Sequence, residues 1–79
     1  MGQQDLPLAA GSAHVKTFGR CGWEVKRLSK KNHYILQHDE IGETLSIPNH
    51  KEVKRGLLAK QIARAQLTEE EYLEAFYGR

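Results

Sequence analysis

Trp23-Glu24-Val25-Lys26-Arg27-Leu28 (WEVKRL), His33-Tyr34-Ile35-Leu36-Gln37-His38 (HYILQH) and Glu43-Thr44-Leu45-Ser46-Ile47 (ETLSI) are three short runs separated by Ser29-Lys30-Lys31-Asn32 and Asp39-Glu40-Ile41-Gly42. Their length, their aromatic and aliphatic content and the polar breaks between them read as strands. The first alternates at its start and points Trp23 and Val25 inward. The second has Tyr34 and Leu36 on one face and His33, Ile35 and Gln37 on the other. The third puts Leu45 and Ile47 together, and Pro48 ends it because proline cannot donate to a ladder. Gly42 can supply a positive φ in the second break. Breaks this short permit only hairpins, so the sheet should be an antiparallel meander.

Helical patterns flank the strands. Ser12 can cap a helix over roughly 13–21, in which Val15, Phe18 and Cys21 form an apolar stripe. Gly19 weakens it by about 1 kcal/mol relative to alanine, and Gly22 is placed to stop it in a left-handed conformation. Residues 1–10 (MGQQDLPLAA) lack periodicity and read as a loose arm, with Leu6 and Leu8 able to dock on the body. After Asn49-His50 a helix over about 51–65 would bury Val53, Leu57, Leu58 and Ile62 and leave Lys54, Arg55, Lys60 and Arg64 outside. Thr68-Glu69-Glu70-Glu71 fits a capping box that opens a last helix offering Tyr72, Leu73 and Phe76 to the core. The expected architecture is α+β, in the order α-β-β-β-α-α, as one domain over 11–79. Helices would cover one face of the sheet, leaving the other for solvent or a partner.

A chain of 79 residues buries only about 60% of its unfolded surface. Function should therefore sit in a shallow groove or on an open face. The net charge is +2, but positions 16–64 hold eleven lysines and arginines against five acids, while Glu69, Glu70, Glu71 and Glu74 crowd the end. A basic body suits a polyanionic partner, though a solvated surface has the same composition. The single cysteine, Cys21, excludes an internal disulfide and fits a reducing cytoplasm. The histidines and cysteine lack zinc-site spacing, the glycines form no nucleotide-binding loop, and no apolar run is long enough to span a membrane, so no metal, cofactor or membrane is expected.

Three segments resemble the HicA (YcfA-like) toxins of HicA–HicB toxin–antitoxin pairs, over Gly22 to Phe76. Gly22-Trp23-Glu24-Val25 is similar to the family's Gly-aromatic start of the first strand. Lys31-Asn32-His33-Tyr34-Ile35-Leu36 is similar to its Gly-Ser-His-x-aliphatic-aromatic segment. Ile47-Pro48-Asn49-His50, Glu52-Val53-Lys54-Arg55-Gly56-Leu57-Leu58 and Leu67-Thr68-Glu69-Glu70-Glu71-Tyr72-Leu73 resemble its aliphatic-Pro-x-His, basic-basic-Gly and acidic-helix pattern. Lys31 and Asn32 replace the usual glycine and small residue, and Leu57 stands where a threonine often follows the glycine. The resemblance implies a fold of the double-stranded-RNA-binding type. It also implies a metal-independent endoribonuclease (an mRNA interferase), neutralised by a HicB-type antitoxin that covers the active histidine.

On this reading His33 is the catalytic residue. RNA cleavage needs a proton acceptor for the attacking oxygen, which is either the 2′-hydroxyl or water, and a proton donor for the leaving one. An imidazole serves either role near neutral pH. Lys30 and Lys31 directly precede His33 and can hold phosphate. Lys54 and Arg55 fall at a helix start, where backbone N–H groups add to their charge. The plain alternatives are a structural strand histidine, a solvated turn and an exposed helix face. His50 reads as a loop-fixing or exposed residue rather than a second acid–base group, His38 as a surface residue at a strand end, and His14 has no assigned role. Trp23, Phe18, Tyr72 and Phe76 read as core, whereas Tyr34 can stack on a base. The competing functions are a non-catalytic RNA-binding module of the same fold and a protein-interaction domain that uses the exposed sheet or its edge.

Overall fold

The computed structural model describes residues 6–78. The elements run α1 (Gly11–Arg20), β1 (Trp23–Leu28), β2 (His33–His38), β3 (Thr44–Pro48), α2 (Arg55–Arg64) and α3 (Glu69–Tyr77). The strands form one antiparallel sheet in the order β1-β2-β3, the expected meander. With its helices, it makes the α-β-β-β-α-α fold consistent with the double-stranded-RNA-binding type. Leu36 pairs with Leu45, and Tyr34 with Ile47. Leu36, Leu45 and Ile47 are fully buried with Phe18 of α1, Leu58 of α2 and Tyr72 of α3. Period-2 alternation thus puts the apolar side of β2 and β3 under the helices.

Strand β1 behaves differently from its pattern. Trp23 is buried, packing edge-on against His38 with ring centroids 5.2 Å apart. Val25 pairs with Leu36 and so lies on the helix side, yet it is 40% exposed, because β1 is an outer strand that runs beyond the helices' cover. The register then shifts. Val25 faces Leu36 and Arg27 faces Ile35, which leaves Lys26 as the extra residue of a bulge. The shift reverses the alternation, turning Arg27 to the open face with Ile35 and Leu28 to the helix side with Tyr34.

Helix α1 starts earlier than Ser12 suggests. Its N-cap is Ala10, with no side-chain cap, and Ser12 is exposed on the first turn. Tertiary docking fixes the start instead: Gly11 N–H donates to the His50 carbonyl at 2.9 Å, and a Cβ on Gly11 would lie 2.1 Å from the Pro48 carbonyl oxygen. Gly22 takes φ +94° just past the helix, as its position predicts.

Helix α2 starts later than expected, at Arg55 rather than about residue 51. Val53 donates its N–H to the Ala9 carbonyl at 2.9 Å, and Lys54 is extended at φ −64°, ψ 140°, so the lead-in cannot be helical. Val53 is buried all the same. Leu57, expected in the core, is 36% exposed, and the buried face carries Gln61 instead. Gln61 Oε1 accepts the Ser46 N–H at 3.1 Å, occupying a donor of outer strand β3. The capping box at Thr68 forms as read: Thr68 Oγ1 accepts from Glu71 N–H at 3.0 Å, and Glu71 Oε1 accepts from Thr68 N–H at 2.8 Å. Of the arm expected over 1–10, residues 1–5 lie outside the described residues. Leu6 is buried in the core, whereas Leu8 is 45% exposed.

Candidate functional site

The β1–β2 turn and the loop after β3 are tied together. Ser29 N–H donates to the His33 carbonyl and Asn32 N–H to the Ser29 carbonyl, closing the turn. Asn32 takes a left-handed φ of 65°, which asparagine tolerates better than most residues. Asn49 N–H then donates to the Asn32 carbonyl at 2.9 Å, and Asn49 Nδ2 to Asn32 Oδ1 at 3.3 Å. The Tyr34 hydroxyl donates to Asn49 Oδ1 at 3.1 Å, which makes Tyr34 a loop clamp at the site's edge.

This clamp places two histidines at one cleft. His33 leaves the start of β2 on the open face of the sheet, half-buried, with Nδ1 2.9 Å from Ser46 Oγ of β3. His50 follows Pro48, and its ring stands perpendicular to that of His33 with centroids 6.5 Å apart. Both line a cleft of about 260 Å³, with Pro48, Glu52, Lys54 and Leu57 as its other walls. Lys54 is the N-cap of α2 and Leu57 lies in its first turn, so the cleft opens beside the unpaired N–H groups of a helix start.

The Ser46 hydroxyl fits either tautomer of the His33 ring. A hydroxyl both donates and accepts, so it can match Nδ1 whether or not that nitrogen carries a proton. The bond to Ser46 uses Nδ1 and does not involve Nε2.

Of the residues singled out in the sequence, His33 and Lys54 meet at this cleft. Lys30 and Lys31 are exposed on the neighbouring turn and are not among its walls. Arg55 is not a wall either: its Nε donates to the Leu6 carbonyl at 2.7 Å, holding the arm to α2. Glu52 and Ser46 were missed. They lie far from His33 in sequence, and only strand pairing and the loop bring them close. Among the described residues no group of three or more His, Cys, Asp or Glu side chains converges in a way that could hold a metal ion, and no helix is long and apolar enough to cross a membrane.

The remaining histidines have structural surroundings. His38 Nδ1 accepts the Glu40 N–H at 3.0 Å, and its Nε2 fills the space beside Gly22. His14, given no role from sequence, is fully buried, with Nδ1 2.5 Å from the Tyr72 hydroxyl. Its Nε2 is buried without a hydrogen-bond partner among the described residues. Burial holds the His14 imidazole down to about 4 and pushes the Tyr72 phenol up. Burial and the Glu71 carboxylate likewise push the Cys21 thiol up. An amphipathic reading counts histidine as polar and so gives no signal for this one.

A family model described as the HicA toxin of bacterial toxin–antitoxin systems matches residues 11–67. No curated protein and no solved structure matches the chain.

Proposed function

Because the chain belongs to the HicA toxin family of bacterial toxin–antitoxin systems, we propose that it is a toxin acting as a metal-independent endoribonuclease on mRNA in the cytoplasm, with His33 as catalytic residue. The observation that carries this reading is the placement of His33: its Nδ1 is held by Ser46 and its ring lines a cleft that also contains Lys54. An imidazole so held can move a proton at a scissile phosphate. Lys54 and the first turn of α2 stabilise the charge that builds on the phosphorane oxygens. Lys30, Lys31 and Arg55 lie outside the cleft and serve the flanking phosphates, a sequence-independent contribution to affinity. A HicB-type antitoxin neutralises the toxin by covering the His33 cleft.

The test is purified protein with a labelled structured RNA in EDTA, beside His33→Ala. The wild type should cut, and the folded variant should lose at least about 100-fold in rate, the usual contribution of a positioned acid–base group. His33 is half-buried on a strand, so circular dichroism of the variant separates lost chemistry from lost fold. If neither protein cuts but both bind RNA in a salt-sensitive gel shift, the enzyme reading falls in favour of a non-catalytic RNA-binding module.

A further inference from the structure

We propose that His50 is a second catalytic group, the general acid to His33's general base, so that cleavage runs through a pair of imidazoles. This rests on the ribonuclease reading above. The observation behind it is a juxtaposition that sequence separation hides: His33 and His50 line one cleft, their rings perpendicular with centroids 6.5 Å apart. Two imidazole nitrogens that each reach about 3 Å to an oxygen can bracket a single phosphate at such a spacing.

An exposed histidine in a loop is normally too mobile for this work, but the backbone of His50 is pinned from two sides. Its carbonyl accepts the Gly11 N–H at the start of α1, and the preceding Asn49 N–H bonds the Asn32 carbonyl beside His33. Gly11 sits so close to Pro48 that no Cβ fits there. The loop is therefore docked on α1 and on the β1–β2 turn together, and the two histidines form parts of one rigid frame. The charged side chains sharing the cleft are Glu52 and Lys54, both from the lead-in to α2. Lys54 carries the charge opposite to that of a phosphate, and Glu52 is the one carboxylate among the cleft's walls.

In the proposed step His33 Nε2 takes the proton of the 2′-hydroxyl as that oxygen bonds to phosphorus. The phosphorus–O5′ bond breaks, and O5′ takes a proton from the His50 imidazolium. The products are a 2′,3′-cyclic phosphate and a 5′-hydroxyl, with no net change in protons. His50, the more exposed of the two, is the one that recovers its proton directly from water.

The experiment uses the full chain with two RNAs: a normal one, and one whose scissile 5′-oxygen is replaced by sulfur, a leaving group that departs without protonation. His50→Ala should cut the normal RNA at least about 100-fold more slowly than wild type. It should cut the sulfur RNA within about tenfold of wild type, and the alkaline limb of its pH–rate profile, where a general acid loses its proton, should vanish. His33→Ala should be slow on both RNAs. Equal slowing of both RNAs by His50→Ala, an unchanged pH profile, or rescue by His50→Gln would make His50 a positioning or structural residue and overturn the proposal. Rescue of His33→Ala by sulfur would overturn the assignment of roles. No cleavage of normal RNA by wild type defeats the ribonuclease reading itself, whereas wild-type cleavage with full activity in His50→Ala defeats only the pair.

Discussion

Acidification should unfold this protein through His14. Its imidazole ordinarily titrates at 6.5 and is held down to about 4 by burial. Between those values the unfolded chain binds a proton that the folded chain refuses, so stability rises with pH across the window and is lost as pH falls through it. Each tenfold difference in proton affinity is worth 1.36 kcal/mol. Linkage then gives a loss of about 2.5 kcal/mol between pH 7.5 and pH 4.5 from this one group. For a small domain that is a large share of the total. Other groups titrate over the same range, so the measurement is a comparison: urea unfolding of wild type and His14→Phe at both pH values. Phenylalanine keeps the aromatic contacts to Tyr72 and Phe76 and carries no proton. Wild type should lose about 2.5 kcal/mol more than the variant. Parallel losses would refute the reasoning and mean that the interior admits the charged ring.

Three other outcomes are expected. Gly11→Ala should lower stability by about 1–3 kcal/mol, because the new Cβ meets the Pro48 carbonyl; it should also slow RNA cleavage by moving the His50 loop, both read from thermal melts and single-turnover rates. Thr68→Ala should cost about 1 kcal/mol by removing half of the capping box, with no change in cleavage rate per folded molecule. The double variant Lys30→Ala/Lys31→Ala should bind single-stranded RNA with a salt dependence shallower by about 1.4 in the log–log slope, as expected for two lost phosphate contacts, which binding titrations from 50 to 200 mM salt would check.

Features set by local chemistry were legible in the sequence. Leu45 and Ile47 alternate, so β3 was evident; Thr68 and Glu71 satisfy each other within one turn, so the start of α3 was evident as well. Features set by distant partners were not. The start of α1 is decided by Pro48 and His50, and the start of α2 by Ala9, neither of which leaves a local mark. Gln61 is buried because an outer strand needed an acceptor, which periodicity reads as a polar, outward residue. At the site, His33 stood out through the family resemblance. Its neighbours Ser46 and His50 come from the next strand and the loop beyond it, and no spacing rule relates 33 to 46 or 50.

The bulge at Lys26 has a consequence for how the molecule keeps company. The outer edge of β1 is a row of backbone groups that a second strand could join, and such edges promote sheet-to-sheet aggregation. Here the phase of the ladder slips by one residue midway along the strand. An incoming strand in register with Trp23–Val25 would be out of register with Arg27 and Leu28. The Lys26–Glu24 ion pair and Arg27 add charge along the same edge. The slipped phase disfavours a second copy of the strand adding along the whole edge, and deleting Lys26 should restore an unbroken ladder and raise the tendency to aggregate.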